Sequence, residues 1–182
     1  LSEFGMHRSA RTDKALYMRG TDAEHTVHIT ELGEPAFLGM AFNAASEADL
    51  GVISELDGAS DVLDNDEPCG GKKVILTDPD GLKVEIIHGI NKLEAIPVKE
   101  VTPFNSGSRR RRVGPIVRSY PRPSQIKRLG HIVLRCGDFK GCEEFYRNKL
   151  GMLVSDFLYR GEENNPGDNA AEFLRCNRGQ EY

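Results

Sequence analysis

The stretch Lys73-Val-Ile-Leu-Thr-Asp-Pro-Asp-Gly-Leu-Lys-Val-Glu-Ile-Ile87 decides the fold. Two short β-rich runs, 73–77 and 82–87, flank Asp78-Pro-Asp-Gly81, where proline sets φ for a turn and glycine tolerates a positive φ, so the segment reads as a hairpin. Ahead of it lie an apolar run, 36–44, and a helix that starts near Ser46. The Ser46 hydroxyl is placed to cap the free amides before Leu50, Ile53 and Leu56, and Gly58 ends the helix. From Phe37 to Ile87 the order is therefore strand, helix, short strand, strand, strand.

The same pattern recurs on both sides. Ala15-Leu-Tyr-Met-Arg19 and His25-Thr-Val-His-Ile-Thr30, separated by Gly20-Thr-Asp22, read as a second hairpin. Further on, Leu129-Gly-His-Ile-Val-Leu134 reads as a buried strand. It is followed by a helix capped by Asp138 that carries Phe139, Cys142, Phe145, Tyr146 and Leu150 and stops at Gly151, then by strands at 152–159 and 171–176. Phe4-Gly-Met6 superposes on Leu150-Gly-Met152, Ala15–Arg19 on Ala171–Arg175, and Phe37–Phe42 on Leu129–Leu134. The repeating unit is a βαβββ module of roughly fifty residues, within the range of repeat periods.

On that unit the chain divides into three parts. Residues 1–90 hold a partial module, 1–31, and a complete one, 36–89. Residues 91–127 read as a linker, with five prolines after Ile90, Asn105-Ser-Gly-Ser108 and the basic run Arg109–Arg112. Residues 128–182 hold an incomplete module, whose last strand is expected after Tyr182.

Composition narrows the function classes. The 182 residues carry 24 basic and 28 acidic side chains, a net charge of −4, which supplies no field that would draw in nucleic acid or an anionic membrane. The basic run is expected to be solvated linker. A hydrophobic share of 38%, gathered in short runs, supports a packed core, and no run approaches the length that spans a bilayer. With no secretory leader pattern at 1–6, the expectation is a cytoplasmic protein. Cys69, Cys136, Cys142 and Cys176 form no C-x-x-C pair and have no histidine at zinc-finger spacing, which argues against a structural zinc site and for reduced thiols.

The module order, Asp78-Pro-Asp-Gly81 followed by Val84-Glu85, and Leu129-Gly-His131 leading to Phe145-Tyr146 and Leu150-Gly-Met152 resemble the vicinal oxygen chelate superfamily. Within it, the linker before Arg128-Leu-Gly-His131 resembles type I extradiol ring-cleaving dioxygenases, related to dihydroxybiphenyl dioxygenase and catechol 2,3-dioxygenase. The resemblance implies an α+β fold of repeated βαβββ modules, forming curved open-barrel sheets with helices outside. Residues 1–90 would be a non-catalytic domain and 128–182 the first module of a catalytic one. It implies Fe(II), in some members Mn(II), held by two histidines and a carboxylate, with open positions for an aromatic diol and O2.

Carried onto this chain, the resemblance makes His131 a metal ligand and Val133 and Phe173 lining of the substrate pocket. The other histidine, the metal carboxylate and the proton-handling histidine belong to segments expected after Tyr182. No catalytic residue is therefore assigned within these 182, and the chain alone is expected to be inactive. In the complete module Gly39 stands where a metal histidine would be, while Glu85 takes the carboxylate position. Without a histidine partner, Glu85 is expected to be a hydrogen-bonded or solvated strand residue, and His28 to be structural. A second reading is a metal-free small-molecule-binding module of the same superfamily. Unpaired sheet edges favour a homo-oligomer.

Overall fold

A computed structural model describes residues 1–98, 105–111, 124–162 and 165–179. About half of the expected linker, Arg112 included, and the final residues 180–182 lie outside the described residues. The elements follow the order β1 (His7–Arg11), β2 (Ala15–Arg19), β3 (His28–Glu31), β4 (Gly39–Asn43), α1 (Glu47–Ser54), β5 (Leu63–Asp64), β6 (Lys72–Thr77), β7 (Lys83–His88), α2 (Phe139–Glu143), β8 (Leu153–Glu162) and β9 (Asn165–Arg175). A π-helical turn over Glu144–Lys149 continues α2. No helix among the described residues is long and apolar enough to cross a membrane.

The backbone gathers into two compact units. One comprises Leu1–Glu34 with Asn91–Leu129, the other Pro35–Ile90 with Gly130–Tyr182. The breaks at Ile90/Asn91 and Leu129/Gly130 lie at or beside the expected boundaries, while 1–34 groups with 91–129 and the complete module shares a core with the segment that resembles it.

In the first unit β1, β2 and β3 form an antiparallel sheet in that order. The hairpin expected from Ala15 to Thr30 is present, with Ala15 opposite Glu31 and Met18 opposite His28. Buried Arg19 fastens the connection between the two strands. Its Nε donates to the Gly20 carbonyl (3.1 Å), and its Nη2 donates to the carbonyls of Asp22 (2.6 Å) and Glu94 (2.9 Å). Paired with three carbonyl dipoles, the guanidinium escapes the penalty of an unsatisfied buried charge.

In the second unit the sheet order is β4-β7-β6-β5. The 73–87 hairpin forms as its sequence demands. Gly81 has φ +85°, its amide donates to the Asp78 carbonyl (2.9 Å), and Asp78 Oδ1 accepts from the amides of Asp80 (3.0 Å) and Leu82 (2.8 Å). β4 pairs with β7 in parallel, Gly39 opposite Lys83 and Ala41 opposite Glu85. Strand alternation then sorts the side chains. Met40, Val74, Leu76, Val84 and Ile86 enter the core with Leu50 of α1 and with Cys142, Phe145 and Tyr146 of the later helix. Ser46 caps α1 through a reciprocal box with Asp49.

The later segment departs from expectation in one element. Residues 129–134, the counterpart of β4, form no strand. β4 is held by its parallel neighbour β7, the second arm of a hairpin. Among the described residues no strand stands in that relation to 129–134, so its backbone has no ladder to join. Asp138 caps α2 as expected by accepting from the Gly141 amide, and β8 pairs antiparallel with β9, but the two strands run on to Glu162 and from Asn165, through residues expected beyond the strands at 152–159 and 171–176.

Candidate functional site

His131, Val133 and Phe173 are all exposed, Val133 at 83% and Phe173 at 52%. His131 and Val133 lie in the segment that has no ladder, and Phe173 lies on β9 opposite Asp156. Among the described residues, the one group of three or more His, Cys, Asp or Glu donors close enough to share an ion does not include His131. The metal set implied by the resemblance is thus not assembled by these residues, and no chemical step is derived through a metal at His131.

The complete module shows why it carries no histidine at position 39. Gly39 has φ +155°, outside the extended region that other residues adopt freely, and a Cβ there would lie 2.1 Å from the Lys83 carbonyl oxygen. The parallel approach of β4 to β7 leaves room for a hydrogen atom and nothing larger. Position 39 is therefore closed to histidine by the backbone itself.

Glu85, on the same face of the sheet, is 7% exposed. Its Oε1 lies 3.2 Å from Lys73 Nζ and 3.3 Å from Lys83 Nζ. Lys73 is itself largely buried. Burial alone would lower its pKa, but the charge and hydrogen bond of Glu85 outweigh that and hold it above the usual lysine value. Half-buried Glu67 stands close enough to feel these charges, and burial pushes its carboxyl up. The carboxylate that the resemblance places at a metal is here taken up by two ammonium groups.

A third constellation escaped the sequence reading. Asp80, from the hairpin turn, accepts from the backbone amides of Gly137 (2.7 Å to Oδ2) and Asp138 (3.1 Å to Oδ1). Cys136 and Cys142 stand beside it, and the donor atoms of all three lie within 4.8 Å of one another. Cys142 is 3% exposed, and burial, Cys136, Asp80 and Asp78 push its thiol up to about 12. Next to this group Tyr146 Oη donates to Asp78 Oδ2 at 2.8 Å, a buried bond between residues 68 positions apart. Six-residue cysteine spacing is not a metal signature, and nothing in sequence links Cys136 to an aspartate 56 positions earlier. The tertiary fold alone brings them together.

Three of the remaining histidines, His25, His28 and His88, have hydrogen-bond partners. His25 is buried and shares a 2.8 Å hydrogen bond with Thr26 Oγ1, and burial, then Arg19, lower its pKa. His28 is exposed and lies 3.0 Å from Thr30 Oγ1, while His88 Nδ1 lies 3.1 Å from the Ala44 carbonyl.

No family model matches the chain, and no curated protein matches it in sequence. Solved structures match its fold. The Mn(II)-bound glyoxalase of Novosphingobium aromaticivorans superposes with a TM-score of 0.70 at 21% identity, over 96% of this chain and 50% of that one. The 2,3-dioxygenase LapB of Pseudomonas sp. KL28 gives 0.66 at 14% identity over 95% and 58%. A catechol 2,3-dioxygenase gives 0.62 at 20% identity over 97% and 59%. The chain has the α+β fold of these glyoxalase and dioxygenase structures, and it spans 50–59% of their lengths.

Proposed function

We propose that the chain belongs to the vicinal oxygen chelate superfamily and to an extradiol dioxygenase that opens a catechol-type ring with O2. In this reading His131 is one ligand of Fe(II), or alternatively Mn(II), and Val133 and Phe173 face the diol. The observation that carries the reading is the fold match to 2,3-dioxygenases over 95–97% of the chain. The closed position at Gly39 supports it as well, because it leaves the segment after 128 as the place for metal chemistry. A small aromatic diol and O2 are its partners, with no nucleic acid or membrane. Self-association through open sheet edges and a cytoplasmic location complete the proposal.

The test is anaerobic loading with Fe(II) followed by catechol and 2,3-dihydroxybiphenyl in air-saturated buffer, with the coloured ring-opened product followed by absorbance. Cleavage is expected from the product of the extended reading frame and is lost on His131→Ala. The 182 residues alone are expected to give none, since among the described residues His131 belongs to no group of three donors close enough to share an ion. An extended product that is inert refutes the proposal, and activity of the short chain refutes the expectation that these 182 residues are inactive alone.

One observation favours a metal-free binding module instead. The sheet face of the complete module has its carboxylate neutralised by Lys73 and Lys83 and its histidine position closed. Aromatic ligand binding that a chelator leaves unchanged is the outcome that this second reading requires.

A further inference from the structure

The convergence of Asp80, Cys136 and Cys142 has no part in the proposed ring chemistry, yet it has the makings of a metal centre. We propose that these three side chains form a zinc site, with a water molecule in the fourth position, that fastens the Asp78–Gly81 turn to the head of α2.

Three features lead there. The donor set is two sulfurs and one carboxylate oxygen, which suits borderline-soft Zn(II) and disfavours Mg(II), Ca(II) and Mn(II). The spacing is close to what such an ion needs. Tetrahedral zinc with sulfur at about 2.3 Å and oxygen at about 2.0–2.2 Å sets its ligands roughly 3.5–3.8 Å apart. The donors here span at most 4.8 Å, and a small rotation of the partly exposed Cys136 side chain closes the remaining distance. Finally, the carboxylate is already aimed. The amides of Gly137 and Asp138 hold one oxygen each, the kind of outer support that orients metal ligands, and the Cys142 thiol that donates to Oδ2 at 3.9 Å would give up that proton on binding.

Charge points the same way. The charged side chains that act on Cys142, Asp80 and Asp78, are both acidic. A cation is what these donors around buried Cys142 lack. Binding exchanges two thiol protons, released to solvent, for two metal–thiolate bonds, with no change in oxidation state.

The experiment titrates the chain with Zn(II), and with Co(II) as its spectroscopic stand-in, in the presence of a non-chelating phosphine that keeps the thiols reduced. One equivalent of zinc is expected to bind, with a thiolate-to-Co(II) charge-transfer band and a higher Tm in the loaded protein. Cys136→Ser should remove that equivalent and the band. Asp80→Asn removes the charge and keeps an acceptor oxygen for one of the two amides, and should weaken zinc at least tenfold. Asp80 is exposed and Cys136 packs at the edge of the core, and Cys136→Ser is nearly isosteric, so far-ultraviolet circular dichroism should show the fold intact in each. Zinc stoichiometry unchanged by both substitutions, a Co(II) spectrum without sulfur character, or no binding at all would overturn the site. None of these readouts depends on ring cleavage, so the site stands or falls apart from the dioxygenase proposal.

Discussion

At position 39 the resemblance places a metal-binding histidine and the chain carries glycine, a difference that sequence alone presents as a lost ligand. The backbone explains it as a steric demand. A Cβ would meet the Lys83 carbonyl oxygen at 2.1 Å, and φ is +155°. Gly39→Ala is therefore expected to cost at least about 3 kcal/mol, the strain of an unfavourable backbone region together with the displacement of a paired strand. Urea unfolding measures this directly, and a loss below about 0.5 kcal/mol would show that β4 and β7 separate easily. Gly39→His should likewise fail to create a metal site beside Glu85. The glycine was legible in the sequence, but its reason was not, because a strand-to-strand approach depends on residues 44 positions apart.

Among the elements, the difference between β4 and its counterpart 129–134 is the instructive one. Both read as apolar strands, and the hairpins, the Ser46 cap and the Asp138 cap were legible because each depends on neighbours a few residues away. A strand depends on a partner, and only β4 has one. Hydrogen exchange should therefore show protected amides over Met40–Asn43 and fast exchange over 130–134. Comparable protection in the two would mean that 129–134 has found a ladder.

The β1–β3 sheet has its own signature, in acid. His25 is buried, and burial together with Arg19 depresses its pKa, so the folded state holds it neutral while the unfolded chain protonates near 6.5. Stability from the neutral ring is fully present above about pH 6.5 and is lost as pH falls from there through the lower folded value. Unfolding midpoints measured from pH 8 to 5 should decline below 6.5, and His25→Gln should flatten that part of the curve. A midpoint for His25 at or above 6.5 in an NMR titration contradicts this account.

At the scale of the whole chain, the buried bond from Tyr146 to Asp78 joins the helix of one repeat to the turn of another within the second compact unit. Burial, then the aspartate beside it, push the phenol up, so it remains a donor throughout the working range. Tyr146→Phe keeps the ring and removes the donor, leaving Asp78 Oδ2 buried without this partner. The expected loss is about 1–3 kcal/mol by denaturant unfolding. A neutral result would mean that water replaces the hydroxyl.

The α+β class, the complete βαβββ module at 36–89 and its turns and caps were determined by the sequence itself, because turn chemistry, capping and apolar periodicity act over a few residues. Tertiary structure alone decided that the complete module shares its core with the helix at 139–149, that Gly39 admits no side chain, that Glu85 is taken up by two lysines, and that Asp80 meets Cys136 and Cys142. Each of these is an encounter between residues distant in the chain or on separate strands, and the burial, charge compensation and close approach that govern it come into being only once the strands and helices have packed.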